Sequence, residues 1–341
     1  MVAPALRDRL ACRHIVTGLA LCLTALALLA ACHTGSEKTE SPLIRLGSYD
    51  WPGSFWIDIG LAKGWFAEEG LRVERVNTDG KYFASLEAVV RGELDGMGFS
   101  QFDLVRSVAA GHDLVGVAAI DSSEGGEALV ARAGIHNLRE LRGKRIALQR
   151  GTYLEYLLDI AAERAGLTLG QFVLVDRSQE EAVSDMKAGT VDAAFIWEPY
   201  VTEAQRATNG ERVFSTADFS GLTYSVFTLR RDFVTSRPDD VQKLMRVWQR
   251  GVAFVRAHPD ESCAIVAKSL DEKAEEVREI MRTDRVLDTA DNMRAFSYAA
   301  GFESLHGSWR RMNDFMLERG LVQTRVASPD HLDPRFVHAL D

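Results

Sequence analysis

Cysteine is scarce in this sequence, and most of it lies near the amino terminus. Of the four cysteines in 341 residues, Cys12, Cys22 and Cys32 come early, and only Cys263 lies in the body of the chain. The body of the chain therefore has no pair with which to form an internal disulfide. We predict that Cys263, which lies in a helical pattern, is a buried structural thiol and not a nucleophile.

Runs of basic residues are also missing, and the formal net charge is −9. Nucleic acid is therefore not an expected partner, because phosphate recognition needs clustered Lys and Arg. Charged residues make up 26% of the chain and hydrophobic residues 46%, which is typical of a folded soluble protein. The length of the chain predicts about two domains.

Sequence signatures of catalysis and of metal binding are missing as well. The chain has no Gly-x-Ser-x-Gly, no His-Glu-x-x-His and no phosphate-binding loop, and its eight histidines are scattered. No pair of carboxylates stands out for acid–base chemistry. We therefore predict no catalytic residue, no metal site and no cofactor, although a triad assembled from distant segments would leave no such signature.

A targeting segment is predicted at residues 1–31. Arg7, Arg9 and Arg13 precede an uncharged stretch at 15–31 that is rich in Leu and Ala, and Cys32 follows directly. This pattern resembles the lipobox of bacterial lipoproteins, which implies cleavage before Cys32 and lipidation of that residue. Residues 32–42 would then form a polar tether. The alternatives are an ordinary signal peptide and an uncleaved membrane anchor.

One pattern occurs twice in the chain. Residues 92–101 read GELDGMGFSQ, and residues 189–200 read GTVDAAFIWEPY. Each copy begins with a glycine, has an aspartate three positions later and continues into an apolar strand, and each follows a short amphipathic run. Two copies are too few for a solenoid, and they favour two similar lobes that face each other.

The order of the predicted elements supports two α/β lobes. Besides the two repeated strands, we expect strands at 43–47, 71–76, 114–120, 144–148 and 172–175, with helices between them. Each lobe would be a mainly parallel sheet flanked by helices. The apolar stretches 128–131 and 224–229 are interpreted as crossing strands that bracket an inserted second lobe. The predicted domains are lobe 1 at 43–130 and 225–320, lobe 2 at 131–224, and a tail at 321–341 that either packs back or is mobile.

Ligands of parallel α/β sheets bind beyond the carboxyl ends of the strands. This rule selects five loops, at residues 49–51, 100–101, 121–127, 149–153 and 197–199. Their aromatic side chains can stack on a ligand, and their hydroxyl groups can donate hydrogen bonds to it. Few basic residues lie nearby, so a doubly charged anion is not expected. Five carboxylates there could receive an amine: Asp50, Asp121, Glu124, Glu127 and Glu198.

Several residues in and near these loops have a structural explanation that competes with a functional one. Trp197 could close the interface between the lobes, and Glu198 could cap the helix that follows it. Trp51 could belong to a rigid turn. The repeated Asp95 and Asp192 are predicted to bind neighbouring backbone amides and not ligand.

Three stretches resemble a known family, the periplasmic substrate-binding proteins of ABC importers for nitrate, sulfonates, taurine and thiamine precursors. They are KGWFAEEGL at 63–71, LRGKRIALQRGT at 141–152, and the repeat at 189–200. The likeness covers about residues 43–270. It implies a two-lobed periplasmic-binding-protein fold (type II) that closes on its ligand about a two-strand hinge. The cysteine-rich motif of the pyrimidine-synthase relatives is absent.

The resemblance and the loops together give the predicted ligand-binding residues: Tyr49, Asp50, Trp51, Ser100, Gln101, Asp121, Ser123, Gly151, Thr152, Tyr153, Trp197 and Glu198. The implied protein is a monomeric, non-enzymatic receptor, anchored outside the cytoplasm by lipid at Cys32, with permease and ATPase subunits as partners. Its expected ligand is a small polar organic molecule, either sulfonate- or taurine-like or amine- or pyrimidine-like. The alternatives are an enzyme on the same fold, a sensor lipoprotein without a transporter, and nitrate or bicarbonate as the ligand.

Overall fold

The computed structural model describes residues 41–78, 81–219 and 221–340. The predicted signal peptide, the lipidation site Cys32 and most of the predicted tether lie outside these residues. In the part of the chain that is described, no helix has both the length and the apolar character needed to cross a membrane. Cys263 is buried, as predicted.

The strands belong to two separate sheets. In chain order they are β1 (Leu43–Ser48), β2 (Arg72–Asn77), β3 (Gly96–Ser100), β4 (Leu114–Ser123), β5 (Glu127–Ala131), β6 (Arg145–Leu148), β7 (Val173–Asp176), β8 (Ala193–Trp197), β9 (Glu211–Ser215), β10 (Tyr224–Arg230) and β11 (Asp284–Val286). The first sheet has the order β11-β4-β10-β3-β1-β2, and the second has the order β7-β6-β8-β5-β9.

Both sheets are mainly parallel, with two reversed strands, β10 and β11, in the first sheet and one, β5, in the second. In the first sheet β1 is parallel to β2 and β3, whereas β10 is antiparallel to β3 and β4. In the second sheet β6 is parallel to β7 and β8, whereas β5 is antiparallel to β8 and β9. The predicted two-lobed α/β fold is confirmed.

The chain passes between the sheets twice, at residues 124–126 and at residues 216–223. The predicted division after residue 130 lies beyond the first of these points, because β5 pairs with β8 and β9 and so belongs to the second sheet. The stretches interpreted as crossing strands, β5 and β10, therefore lie in different sheets. We keep the division of the chain into two lobes as a proposal, with its first boundary moved to residues 124–126.

The repeated aspartates do the same structural work in the two sheets. Asp95 Oδ2 accepts a hydrogen bond from the Arg45 amide at 2.8 Å, and Asp192 Oδ2 accepts one from the Arg145 amide at 2.9 Å. Arg45 lies in β1 and Arg145 begins β6, and each of these strands is parallel to the strand that follows the aspartate. The prediction that both aspartates bind backbone amides is confirmed. The repeat thus marks equivalent positions in the two sheets.

Helices cover the sheets. In chain order they are α1 (Phe55–Ala62), α2 (Trp65–Glu68), α3 (Tyr82–Val90), α4 (Gln101–Ala109), α5 (Tyr153–Arg164), α6 (Gln179–Ala188), α7 (Tyr200–Thr208), α8 (Arg231–Ser236), α9 (Pro238–Ala257), α10 (Pro259–Leu270), α11 (Ala274–Met281), α12 (Thr289–Ala295), α13 (Leu305–Glu318) and α14 (Arg335–His338). Short 3-10 turns lie at Pro52–Ser54, Leu138–Leu141, Leu169–Gln171, Thr216–Asp218 and Ser328–Asp330.

Helix α13 contacts both lobes. Phe315 of α13 packs against Phe102 of α4 and Tyr156 of α5, with ring centroids 6.1 and 5.4 Å apart. Arg319, directly after α13, forms an ion pair with Glu155 of α5. Because α4 flanks the first sheet and α5 flanks the second, this aromatic and ionic contact joins the two lobes on one side.

The tail packs back onto the first sheet. Leu332 forms a bridge to Gly116 of β4, where the Gly116 amide donates a hydrogen bond to the His331 carbonyl at 2.9 Å. The side chains of Leu332, Phe336 and Val337 are at most 5% exposed. Of the two possibilities left open for residues 321–341, the structure therefore shows the packed one.

Candidate ligand-binding site

A cavity of about 480 Å³ receives side chains from both lobes. The first lobe contributes the loop after β1, the start of α3, and the ends of β3 and β4. The second lobe contributes the loop after β6, the start of α6, and the end of β8. The rule that ligands of parallel sheets bind at the carboxyl ends of strands thus selects the correct edges of both sheets.

Nine of the twelve predicted residues line this cavity: Tyr49, Asp50, Trp51, Ser100, Asp121, Ser123, Tyr153, Trp197 and Glu198. They lie as far as about 150 positions apart in the sequence, and the fold brings them to one place. Their contact with a ligand remains a prediction. The other three predicted residues lie outside the lining.

The residues outside the lining have structural contacts that explain their positions. Gln101 is 1% exposed, and its amide nitrogen donates to the Leu305 carbonyl at 2.6 Å, which fixes the start of α13. Thr152 caps α5 by accepting a hydrogen bond from the Leu154 amide at 3.3 Å. The Gly151 amide donates to Glu155 Oε2 at 2.8 Å. These groups are turned into the protein framework and away from the cavity.

The other lining residues are not among the twelve predicted ligand-binding residues, although Glu127, Gln149 and Pro199 lie in loops that the carboxyl-end rule selects. Thr78 follows β2, and the carboxyl-end rule applied to that strand would have identified it. Tyr224 and Ser225 could not be found in this way, because β10 runs antiparallel and brings its amino end to the cavity. The further lining residues are Lys81, Tyr82, Phe83, Ala84, Glu127, Gln149, Ser178, Gln179, Glu180, Pro199, Tyr200 and Thr223.

Aromatic rings form much of the wall. Tyr153 and Trp197 stack with ring centroids 6.0 Å apart and an interplanar angle of 16°. Across the cavity, Tyr49 and Tyr82 meet edge to face at 5.8 Å. Burial raises the pKa of Tyr49, Tyr82 and Tyr153 well above 10, so their hydroxyl groups are neutral. The Tyr82 hydroxyl already donates to Asp103 Oδ2 at 2.8 Å. These walls suit a flat or methylene-bearing ligand.

Two serines of the lining are already engaged by the protein. Ser100 Oγ donates to Asp103 Oδ2 at 2.7 Å and accepts from the Asp103 amide, so it caps α4. Ser123 Oγ lies 2.9 Å from Thr216 Oγ1 and accepts a hydrogen bond from the Gly126 amide at 3.1 Å. Both serines therefore shape the cavity wall through their own contacts.

Asp121 is the most deeply buried carboxyl group of the lining, at 1% exposure. Burial raises its pKa to about 7, with a further contribution from nearby Glu127, although hydrogen bonds from Ser225 and Trp51 act in the opposite direction. Its Oδ2 has no hydrogen-bonding partner among the described residues. A Cβ atom at Gly53 would lie 1.9 Å from this oxygen, so the carboxylate packs directly on the glycine backbone.

Glu127 is the second buried carboxyl group of the lining, at 4% exposure. It stands beside Trp197 in the register of β5 and β8. Burial raises its pKa, and hydrogen bonds from the hydroxyl groups of Ser123, Thr216 and Tyr153 partly offset this. Thr216 Oγ1 lies 3.3 Å from Glu127 Oε2.

The other two acidic residues that the second lobe contributes to the cavity lining, Glu180 and Glu198, have protein partners. Glu198 forms an ion pair with Arg212 at 2.9 Å, and its other oxygen accepts from the Thr202 amide at 3.0 Å, which caps α7. Glu180 is exposed and accepts a hydrogen bond from the Tyr200 hydroxyl. The structural explanation of Glu198, as a helix cap, therefore holds even though the residue also lines the cavity.

A model of the NMT1/THI5-like family matches residues 56–262, which is more than half of the chain. The chain belongs to the NMT1/THI5-like family. The match contains all three stretches whose resemblance was noted in the sequence, and it includes the strands and loops that build most of the cavity.

Named relatives of this NMT1/THI5-like protein are binding proteins. A putative aliphatic sulfonates-binding protein of Bacillus subtilis (strain 168) is 27% identical over 271 residues, which covers 76% of this chain and 80% of that protein. The crystal structure of the periplasmic aliphatic sulphonate binding protein SsuA from Escherichia coli has a TM-score of 0.69 at 20% identity. It covers 85% of this chain and 97% of SsuA.

The same fold also occurs in an enzyme. The crystal structure of the desulfurization enzyme DSZB matches this NMT1/THI5-like chain with a TM-score of 0.61 at 17% identity, over 87% of this chain and 98% of DSZB. The likeness shows a shared fold. In the described part of the chain, no group of three or more His, Cys, Asp or Glu residues is arranged to hold a metal ion.

Proposed function

We propose that this protein is the solute-binding component of an ABC importer. It captures a small polar organic molecule between its two lobes and delivers it to a membrane permease that is driven by an ATPase subunit. The ligand classes proposed from the sequence are sulfonate- or taurine-like and amine- or pyrimidine-like molecules. We propose further that it acts outside the cytoplasm as a monomer and is held to a bacterial membrane by lipid on Cys32.

The observation that carries this proposal is the cavity between the lobes. Its volume of about 480 Å³ suits a small organic molecule and is far larger than nitrate or bicarbonate needs. Stacked aromatic rings and neutral tyrosine hydroxyl groups face it from both sheets. A ligand that touches both lobes favours their closed arrangement, because it gains contacts there that an open arrangement does not offer.

We propose binding and not catalysis. No cysteine or histidine lies in the described lining, and its buried carboxyl groups are held by Ser, Thr, Trp and Tyr donors. The fold shared with DSZB keeps an enzyme as the second candidate. Turnover of a co-purified or added ligand by the purified protein would favour that candidate.

The proposal is tested with the full-length protein purified gently in detergent. Native mass spectrometry should show a retained ligand of a few hundred daltons or less, and thermal-shift screening should identify the compound class that stabilises the protein. At a ligand concentration 100 times the Kd, the expected stabilisation is about 2.7 kcal/mol. Nitrate or bicarbonate as the sole stabilising compound would contradict an organic ligand, and chemical conversion of the bound molecule would contradict a binding role.

A further inference from the structure

We infer that the cavity takes an organic cation, whose positively charged nitrogen group lies against the carboxylates of Asp121 and Glu127 and among the aromatic rings around them. This inference rests on the proposed binding function and names the ligand class for it. It differs from the ligand class in the names of the relatives, which are sulfonate-binding proteins.

The charge of the lining is strongly one-sided. Five carboxylates line the described cavity, and Lys81 is the one Lys or Arg among its lining residues. Lys81 is exposed, so its ammonium group is hydrated at the rim. A sulfonate in the interior would therefore meet carboxyl groups without an adjacent cationic side chain, and this like-charge contact is unfavourable.

Two of these carboxylates lie in the interior and are not neutralised by a basic side chain. Glu198 is excluded because it is paired with Arg212, Glu180 because it is exposed, and Asp50 because it is only half-buried. Asp121 and Glu127 are 1% and 4% exposed, and the groups that hold them are uncharged. A buried carboxylate without a countercharge is expensive to keep ionised, and a bound cation would supply the missing charge.

A third acidic residue lies directly behind them. Asp284 of β11 pairs in register with Ser123 of β4 and is 9% exposed. Neither of its carboxylate oxygens has a hydrogen-bonding partner among the described residues. Burial, followed by the charges of Asp121 and Glu127, raises its pKa well above the usual range. Three carboxyl groups, from β4, β5 and β11, therefore converge at this end of the cavity, and a cation bound there would favour their ionised forms.

The walls around the carboxylates also suit a cation. Trp51 donates a hydrogen bond to Asp121, and Tyr153 donates one to Glu127. Tyr49 lies close enough to Asp121 for the Asp121 charge to raise the pKa of Tyr49. The faces of such rings attract ammonium and guanidinium groups. The occupant is an organic cation and not a metal ion, since the carboxylates of the described residues are not grouped at metal-binding distances.

The inference is tested by thermal shift and calorimetry on the full-length protein with size-matched probe pairs. In each pair an amine and a sulfonate share one carbon skeleton. The pairs are ethanolamine with 2-hydroxyethanesulfonate and benzylamine with phenylmethanesulfonate. Choline is tested alone as a permanent cation. We expect amines to stabilise the protein and their sulfonate counterparts not to. Stabilisation by sulfonates alone would overturn the cation inference and leave the binding function in place. Stabilisation by no probe at all would count against both.

Isosteric variants locate the charge. Asp121→Asn and Glu127→Gln keep the shape of the side chain and remove its charge, so we expect each to weaken amine binding by about 30-fold or more. Asp113→Asn is the matched control, because it is exposed and lies just before the opposite end of β4, roughly 25 Å away along the strand. Unchanged amine affinity in the Asp121→Asn, Glu127→Gln double variant would overturn the assignment, provided that circular dichroism shows the variant to be folded.

Discussion

At the scale of single residues, Asp121 shows how the fold places an acidic group in the wall of a cavity with almost no exposure to water. Its strand, β4, is buried along its whole length, and Gly53 leaves just enough room for the carboxylate. Two uncharged donors, Ser225 and Trp51, are its hydrogen-bonding partners. The folded protein therefore favours the protonated carboxyl group far more than the unfolded chain does.

This difference in pKa predicts a dependence of stability on pH. Burial raises the pKa of Asp121 from 3.8 to about 7, so between these values the folded protein keeps a proton that the unfolded chain releases. The stabilisation from this proton is complete below about pH 4 and is lost as the pH rises through 7. Relative to Asp121→Asn, the wild-type free energy of unfolding should fall by on the order of 2 kcal/mol from pH 4.5 to pH 8.

Urea unfolding of both proteins at several pH values measures this difference. The exposed Asp113→Asn substitution, which removes a carboxylate paired with Arg231 outside the cavity, is the control for the loss of a surface charge. A constant difference between wild type and Asp121→Asn across this range would show that Asp121 has an ordinary pKa in the folded protein.

Trp197 is the second residue whose contribution can be isolated. Its indole is stacked on Tyr153 and faces the cavity beside Glu127. We expect Trp197→Ala to weaken ligand binding by roughly 1–3 kcal/mol, because both the ligand and Tyr153 lose a stacking surface. Trp65→Ala, which removes a half-buried indole packed on Phe254 outside the cavity lining, is the control for general loss of stability. Calorimetry that gives equal affinities for the two variants would remove Trp197 from the site.

At the scale of elements, helix α5 depends on α13 and on the residues that follow it. Glu155 is 3% exposed as a side chain and pairs with Arg319, whereas Glu163 is 64% exposed and pairs with Arg311. Both pairs join the same two segments, and they differ in burial. Removal of Arg319 leaves the buried Glu155 with only the longer contact to Arg150, at 3.8 Å, whereas an exposed pair such as Arg311–Glu163 contributes little.

The two pairs therefore predict different costs of substitution. Arg319→Gln should lower the free energy of unfolding by about 1–3 kcal/mol, and Arg311→Gln by less than about 1 kcal/mol. Chemical denaturation of both variants at low and high salt tests this, since only the exposed pair should respond strongly to salt. Equal losses in the two variants would show that burial of Glu155 has no energetic consequence.

The sequence pattern predicts the two repeated strands well, but it does not predict the direction of antiparallel strands such as β10. Two Gly-x-x-Asp strands identify equivalent positions because each aspartate must reach a backbone amide of a neighbouring strand. Strand β10 was expected as an apolar strand, but its direction, and hence the presence of Tyr224 in the cavity, depends on pairing with β3 and β4. Nothing local in the sequence records that pairing.

The acidic end of the cavity was predictable only in part. The carboxyl-end rule finds Asp121 and the loop that contains Glu127. It cannot find Asp284, because β11 has three residues, too few for a periodic pattern, and it joins β4 from 161 positions away. Which carboxylates are neutralised is also a tertiary property, since Glu198, directly after β8, meets Arg212 of β9 across the intervening strand β5.

At the scale of the whole molecule, the tail completes the first lobe. Residues 321–340 bury Leu332, Phe336 and Val337, and the Val326 carbonyl accepts a hydrogen bond from the Trp309 indole at 3.0 Å. Without this segment, the outer face of β4 and part of α13 would be exposed to water. The tail is therefore an integral part of the core and not an appendage.

Deletion of residues 321–341 should lower the free energy of unfolding by about 4 kcal/mol or more, because several apolar side chains lose their burial. Leu332→Ala is a milder test and should cost about 2–4 kcal/mol. Thermal unfolding followed by circular dichroism measures both. A truncated protein that melts at the wild-type temperature would show that the first lobe is stable without the tail.

The contact between Gly53 and Asp121 restricts how the ligand preference of this protein can be changed in the laboratory. Any side chain at position 53 would collide with the Asp121 carboxylate, so position 53 is closed to substitution as long as Asp121 is present. Once residue 121 is shortened to Ser or Gly, the space becomes available for a hydroxyl or cationic group at position 53. In a library that varies both positions, clones with a side chain at 53 should appear only with a small residue at 121. A change of ligand preference from cations to anions through these two positions must therefore begin with the substitution at 121, and the substitution at 53 must follow it.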